Sequence, residues 1–496
     1  MSAVPAENAD HLTVSRPYLR RYRYRLNALA LALADVLMFA TADILFRASH
    51  AVPAIMFFRG TLASIYHQPI DVFATLCVLF VVIRYVAGDY SRRQLFWDST
   101  RQTTTALIIA AIPDLFFVLL SGGVDSKIAF VESWGFLLIA IPTGRQLVRV
   151  FLARLGVWHT PTALVGAGPR SEIIFAALTN SISLGFDVRW IVLSGNEALI
   201  PTAVSELSRI YAVDAGNIAH RMAAAGCDQA VVAAEDIQTP EFADIVQRLM
   251  EANVEVAIIP TLQRLPVVGL STSHFLGRDV LLLQVRNNLK RLPHRFLKRT
   301  FDFLGALVLL ILLSPFFALI SCVIWLADGG PIIYSPQRVG RHGTEFRCKK
   351  FRTMACDAEQ RLLQWRDENP VLYEEYMRTF KLRDDPRVTA PGRWLRRTSL
   401  DELPQLINVL RGEMSLVGPR PVLEQELRNH YGPAAQLYVR VRPGMTGLWQ
   451  ISGRSNTSYA ERVVYDEWYI LNWSLWYDIV ILIQTVWIVL MRKGAI

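Results

Sequence analysis

The chain has 496 residues, room for two or three domains, and 52% of them are hydrophobic. A mean hydropathy of +0.28 argues against a wholly soluble protein. The formal net charge of +9 then points to anionic lipid head groups or phosphorylated substrates rather than nucleic acid.

Residues 1–25 are polar and basic, with Arg16, Arg20, Arg21, Arg23 and Arg25 crowded before the first apolar run. That run is too long for a cleavable signal peptide and reads as a membrane helix with a cytoplasmic basic flank. Four apolar segments follow within 26–150: Leu26–Phe46, Val72–Ala87, Thr103–Leu120 and Ile128–Val148. Each approaches the roughly 20 residues a bilayer crossing needs. The second is short and carries Arg84. Arg92, Arg93 and Arg101 in the middle loop, and Arg145, Arg149 and Arg154 at the last exit, place those ends in the cytoplasm. No paired carboxylates or broken helices suggest transport, so a plain four-helix anchor is expected.

From 160 to 285 strand-like and helix-like stretches alternate ("TALVGAG", "SEIIFAAL", "DVRWIVL", "QAVVAAE", "VEVAIIP"). This predicts a small Rossmann-like α/β domain with a parallel sheet. Gly166-Ala167-Gly168-Pro169-Arg170-Ser171 half-matches a dinucleotide fingerprint, with Asp187 near the ribose-acid distance. The third glycine is missing, and a regulatory or assembly role is the plainer reading. The scattered Cys77, Cys227, Cys322, Cys348 and Cys356 include no CxxC pair, so neither a zinc site nor a disulfide framework is expected.

The next apolar run, about 303–325, has Ser314-Pro315 at its middle, where proline removes a backbone donor. Lys298 and Arg299 precede it and "QRVGRHGTEFRCKKFRTM" follows, so both flanks favour one membrane face. A re-entrant helix–break–helix satisfies both observations; a proline-kinked span is the other reading. Near the end, Trp468, Tyr469, Trp473, Trp476 and Tyr477 suggest an amphipathic helix at the bilayer interface.

Between these lies a basic region punctuated by glycine and proline. Arg338, Lys350, Arg352, Arg397, Arg420, Arg442 and Arg454 suit phosphate oxygens. Gly418-Pro419-Arg420-Pro421 and Arg442-Pro443-Gly444 read as turns that let backbone approach a ligand. In "RRTSLDELPQL", Ser399 and Glu402 have capping-box spacing, which predicts a helix from Leu400 to Leu410 with Asp401 and Glu402 in its first turn. An ionised Asp401 there can attack phosphorus, and Glu402 can hold Mg²⁺. Asp384-Asp385 before Pro386 is a rival pair, read chiefly as a turn.

"KRTFD", the central "SP", "GGPIIYSPQRVGRHGTEF", "KKFRTM", "DPRVT", "RRTSLDELPQLINVLRGEMSLVGPRP" and "RPGMTGLWQISGR" occur in order from Lys298 onward. In these motifs the segment 295–496 resembles the bacterial sugar transferases of the monotopic phosphoglycosyl transferase superfamily. The membrane helices and α/β domain ahead of it resemble the long members that act on galactose. The resemblance implies transfer of a hexose-1-phosphate, galactose-1-phosphate first and glucose-1-phosphate as the alternative, from a UDP-sugar to undecaprenyl phosphate, beginning O-antigen, capsule or exopolysaccharide synthesis. It implies Asp401 as nucleophile, Glu402 as ligand of a Mg²⁺ cofactor, and Pro419, Arg420 and Pro421 in the nucleotide-sugar site. Lys350 and Arg352 are expected to bind phosphate, with Arg338, Arg397, Arg442, Thr446 and Arg454 contributing. Lys298, Arg299, Asp302, Ser314 and Pro315 match the membrane-entry helix and its break. A bacterial inner-membrane homodimer with its catalytic domain on the cytoplasmic face is expected, with a non-enzymatic flippase or scaffold as the remoter alternative.

Overall fold

The computed structural model describes residues 17–47, 72–121, 123–166, 171–193, 208–211, 222, 227–234, 240–252, 254–260, 267–268, 270–274, 281–284, 289, 292–358, 360, 364, 385, 387–453 and 457–491. The chain divides into two compact units, Met1–Thr261 and Leu262–Ile496. Of the residues singled out above, Arg16, 167–170, Asp384, Pro386 and Arg454 lie outside the described ones.

The first unit opens with four helices: α1 (Pro17–Ala42, continued by a π-turn to Arg47), α2 (Val72–Val86), α3 (Phe96–Ser121) and α4 (Val124–Arg154). Among the described helices, Tyr22–Arg47, Phe96–Leu120 and Val124–Arg154 are long and apolar enough to cross a bilayer. At 15 residues, α2 falls short of the usual crossing length of about 20. All four pack on one core of Phe39, Phe73, Phe80, Leu107 and Trp134.

That core is not wholly apolar, contrary to the plain-anchor expectation. Arg145 on α4 grips Asp35 on α1, with Nε 2.7 Å from Oδ1, and the Tyr90 hydroxyl donates to Asp35 at 2.7 Å. On another level, Arg47 pairs with Asp114 of α3, which also accepts from Trp134 Nε1 at 2.7 Å. A charge among apolar helices is costly unless paired, so these contacts fix which helix faces which.

The sheet of the first unit has five strands, β1 (Thr160–Val165), β2 (Phe186–Leu193), β3 (Ser208–Tyr211), β4 (Gln229–Ala234) and β5 (Glu255–Pro260), in the order β3-β2-β1-β4-β5. Every pairing is parallel, and α5 (Ser171–Thr179) and α6 (Pro240–Glu251) are connecting helices. Val165, Val192 and Val232 lie in the buried core, as continuous apolar runs in a two-face-covered sheet require. Asp187 sits at the beginning of β2, paired with Pro161, and accepts from Arg189 Nε at 2.7 Å. Ligands of such sheets bind at the carboxyl ends of the strands. Asp187 is therefore at the wrong edge to serve as the ribose acid of the Gly166 turn.

The second unit begins with the hairpin β6 (Ser271–His274) and β7 (Leu281–Gln284). Helices α7 (Leu292–Leu312) and α8 (Ser314–Asp328) follow, then strands β8 (Ile333–Tyr334), β9 (Gln337–Val339), β10 (Glu345–Arg347) and β11 (Lys350–Phe351). Next come α9 (Ala390–Thr398), α10 (Gln405–Arg411) and β12 (Ser415–Val417), and then α11 (Glu424–His430), α12 (Ala435–Tyr438), β13 (Gly444–Thr446) and α13 (Leu448–Ser452). The unit closes with α14 (Tyr459–Leu471) and α15 (Leu475–Leu490).

Helices α7 and α8 meet at an angle of 62°, and the cause is local. Pro315 has no N–H to give the carbonyl of Ile311, four residues back. The Ser314 hydroxyl donates to that carbonyl instead, at 2.8 Å. The break thus leaves no lost bond at Ile311.

The root of α7 is held by charge. Lys298 Nζ donates to Asp478 of α15 at 2.8 Å and to the carbonyl of Val417 at 2.9 Å, and it lies 3.4 Å from Asp302. Asp302 accepts from Ser415 Oγ at 2.7 Å and from the Leu416 amide at 3.2 Å. Asp478 also accepts from Tyr469 and Trp473. Tyr469 and Trp473, each 3% exposed, therefore belong to the core rather than to a bilayer interface, a correction to the sequence reading. Substituting Asp478 with Ala would take from the buried Lys298 ammonium its nearer carboxylate and leave Asp302 at 3.4 Å, a loss expected to cost about 3 kcal/mol. Thermal unfolding of the full-length protein in detergent should fall by several degrees, whereas Val486→Ala on the exposed face of α15 should leave it nearly unchanged.

Candidate active site

The Asp401–Glu402 pair does not open a regular helix. Helix α9 is started by Thr389, whose hydroxyl accepts from the Gly392 amide at 3.1 Å. It ends at Ser399, a non-glycine residue in the left-handed region (φ 57°). Leu400–Glu402 then forms one 3₁₀ turn before α10. Ser399 makes no side-chain cap, so the predicted capping box is absent. Its spacing was right, but the left-handed backbone at Ser399 ends one helix instead of starting another.

Glu402 turns to Lys350 on β11, whose Nζ lies 2.7 Å from Oε1. Two contacts hold Lys350 in place. Antiparallel pairing sets Lys350 opposite Tyr334. The buried amide of Asn408, on α10, accepts from the Lys349 amide at 2.9 Å and donates to the Arg347 carbonyl at 2.8 Å. Asn408 thus ties the lysine strand to the helix that follows the acidic turn. Its place in "LPQLINVL", a polar residue in an apolar helical run, was the available signal.

Burial, and the adjacent Glu402 carboxylate, push the Asp401 pKa up to about 6; Lys350, Arg396 and a backbone hydrogen bond pull the other way. Burial opposes the charge on Lys350, but Glu402 and Asp401 outweigh it, so its pKa rises. Arg396, the first residue of "RRTSLDELPQL", is held by its Nε donating to Thr353 Oγ1 at 2.9 Å. Arg338 and Arg420 complete the field: both act, with Lys350 and Glu402, on the buried Cys348 thiol, whose pKa burial raises to about 11. Arg420 and Arg462 both lie over the Trp449 ring, at 5.4 and 4.8 Å from its centroid.

Several of the other expected residues have partners of their own. Arg352 is engaged by Asp328 at 3.4 Å and by Cys356. Arg299 donates to the carbonyls of Val409 and Leu410 at 2.6 and 2.8 Å, closing the end of α10. Arg442 Nε donates to the Gly412 carbonyl at 2.6 Å, and Thr446 shares a 2.7 Å hydrogen bond with Thr485 of α15. Arg397 is exposed on α9, Pro419 is buried and Pro421 half-buried. Asp385 binds Arg387 at 2.7 Å and accepts its amide at 3.0 Å, the turn role expected of it.

The glycine motifs are used differently from the sequence reading. Gly418 donates to the Thr446 carbonyl at 2.9 Å and Gly444 to the Pro419 carbonyl at 2.8 Å. A Cβ on Gly418 would stand 2.7 Å from the Arg442 carbonyl, and one on Gly444 would strike the Gly418 backbone. The close approach these glycines allow is of one motif to the other, which sets the direction of Arg420.

Among the described residues no group of three His, Cys, Asp or Glu side chains is arranged to hold a metal. The adjacent Asp401 and Glu402 do fit Mg²⁺, which takes one or two carboxylates and completes its shell with water and phosphate oxygens.

Residues 293–492 match the family model described as bacterial sugar transferase. The chain is 36% identical over 428 residues to the undecaprenyl-phosphate galactose phosphotransferase of Salmonella typhimurium, covering 86% of this chain and 87% of that one. It is 36% identical over 483 residues to the UDP-galactose-lipid carrier transferase of Erwinia amylovora, covering 94% and 97%. The UDP-glucose:undecaprenyl-phosphate glucose-1-phosphate transferase of Escherichia coli is 39% identical over 209 residues, 41% of this chain and 42% of that one. The chain belongs to the bacterial sugar transferases. It is a membrane enzyme, a phosphoglycosyl transferase of the long form.

A pH profile tests the electrostatics. With Asp401 required as the carboxylate, kcat/KM should fall as pH drops through about 6. Lys350→Gln removes a charge that holds the Asp401 pKa down, so the acid limb should move to higher pH. An unmoved limb would show that Lys350 does not act on Asp401.

Proposed function

We propose that this chain transfers a hexose-1-phosphate, galactose-1-phosphate in the first instance, from a UDP-sugar to undecaprenyl phosphate. The single observation that carries this reading is the turn at Asp401. Glu402 is drawn to Lys350, while Asp401 sits half-buried with a pKa near 6 in a field of Lys350 and Arg396. Such a carboxylate is ionised at neutral pH yet more basic than an ordinary aspartate, which suits a nucleophile facing an anion.

In the first step an Asp401 carboxylate oxygen attacks the β-phosphorus. The bond from that phosphorus to the bridging oxygen breaks, UMP departs with the electron pair, and the sugar phosphate stays on Asp401 as an acyl phosphate. In the second step a phosphate oxygen of undecaprenyl phosphate attacks the same phosphorus. The Asp401 carboxylate leaves, and undecaprenyl-diphospho-sugar is formed. Lys350, Arg338 and Arg420 offset the charge on the phosphates during both steps. Mg²⁺, when held by Glu402, would supply further neutralisation of the diphosphate.

The bent pair α7–α8 is read as re-entrant, entering and leaving by the cytoplasmic face of the inner membrane. Basic flanks on both sides and the satisfied break at Ser314-Pro315 support this. It would hold the dyad at the membrane surface, where a lipid phosphate and a soluble nucleotide sugar can meet. The parallel sheet of the first unit, with strand order β3-β2-β1-β4-β5, is read as Rossmann-like and as an assembly or regulatory domain. Galactose is favoured over glucose because two relatives matched along most of the chain carry galactose in their names.

Asp401→Asn should reduce UMP release from UDP-galactose by several orders of magnitude and abolish the labelled sugar-phosphate adduct. Full activity in that variant would remove Asp401 as the nucleophile. A panel of UDP-galactose, UDP-glucose and N-acetylated UDP-hexoses should give the highest kcat/KM with UDP-galactose; a preference for UDP-glucose would replace the sugar and leave the chemistry standing.

A further inference from the structure

The second unit contains a cavity of about 290 Å³ at the root of α7, and neither Asp401, Glu402 nor Lys350 is among its lining residues. Four arginines reach it from three segments: Arg295 from α7, Arg341 from the turn after β9, and Arg440 and Arg442 from the stretch before β13. Among the described residues no carboxylate pairs with any of the four. Asp302 is the one acid in the wall, and it is already committed to Lys298, Ser415 and the Leu416 amide.

The arginines are also oriented. Arg341 Nε donates to the Arg440 carbonyl at 3.2 Å and Arg442 Nε to the Gly412 carbonyl at 2.6 Å. Their terminal nitrogens have no partner among the described residues. Burial and then Arg295 lower the Arg341 pKa, while burial and then Arg341 lower that of Arg442. Asp302 offsets part of this at Arg442 but does not outweigh it, and such a crowd of like charges is stable only if an anion joins them or water screens them. Lys298, His342, Ser415 and Tyr469 also line the wall, and Leu437, Val441 and Ile470 give it an apolar part. A free inorganic anion would gain nothing from those three side chains.

We propose that this cavity is a second anion site, separate from the Asp401 turn, that takes the phosphate group of a lipid. The arginine forks bind the phosphate oxygens, and the apolar wall takes the first carbons of the tail. Its position fits such a ligand, because α7 changes there from the polar residues around Arg295 to the apolar run after Asp302.

The test uses full-length protein in detergent micelles, with bound ligand counted by native mass spectrometry. Phosphatidylglycerol, a polyprenyl phosphate and inorganic phosphate are titrated separately. At least one lipid should bind the wild type more tightly than inorganic phosphate does; which lipid binds tighter identifies the source of the phosphate. Arg341→Gln with Arg440→Gln should weaken that binding about tenfold or more, given the worth of charge-assisted hydrogen bonds. Arg295→Gln, at an exposed position, should weaken it without threatening the fold. Asp401→Asn should leave it unchanged, so the site stands or falls independently of the proposed nucleophile. The proposal is overturned if the glutamine variants bind lipid as the wild type does, if Asp401→Asn abolishes the binding, or if inorganic phosphate binds as tightly as either lipid.

Discussion

The second unit is organised around one ammonium group, that of Lys298. Its side chain is 12% exposed, and a charge so enclosed must be met by opposite charge. Asp302 on the same helix and Asp478 on the last helix meet it, and Asp302 binds the strand containing Ser415 and Leu416. Three segments far apart in sequence are thereby locked at one point. Gly305, one turn further along α7, stays small because a Cβ there would press on Leu416. The strand so fixed runs directly into Gly418-Pro419-Arg420-Pro421. The root of the bent membrane helix and the loop that aims Arg420 are therefore parts of one rigid arrangement.

The acidic turn obeys the same rule in a looser form. Two adjacent carboxylates repel, and burial makes their joint ionisation harder. The structure separates their tasks by giving Glu402 a lysine and leaving Asp401 in a weaker field of Lys350 and Arg396. The left-handed residue Ser399 makes this division feasible. From the short 3₁₀ turn, Glu402 reaches Lys350 on the neighbouring strand.

Much of this was legible residue by residue. The break at Ser314-Pro315 follows from a missing N–H, and the alternation between 160 and 285 follows from apolar runs of strand length. The Asp401–Glu402 pair stands out because acids are few in a basic region. Other features were not legible because they depend on which segments meet. Arg145 reads as a basic flank at a helix exit, yet it is buried against Asp35 once α1 and α4 are side by side. Tyr469 and Trp473 have the composition of interfacial anchors, but Asp478 draws their polar atoms inward. The glycines of the two basic motifs read as ligand contacts, although each makes room for the other's backbone.

By itself the sequence determined the membrane character, the apolar helices and the break at Ser314-Pro315, the parallel-sheet alternation and the pairing of two acids, Asp401 and Glu402, in a basic region. Those properties arise from periodicity, proline chemistry and composition, which act within a few turns of chain. Tertiary structure alone decided that Glu402 faces Lys350 rather than Ser399, that Asp187 lies at the wrong edge of its sheet, and that four scattered arginines share one cavity. Each of these is a matter of partners brought together by folding, and a side chain's electrostatic environment is set by whatever lies within a few ångströms of it, however far away in the chain.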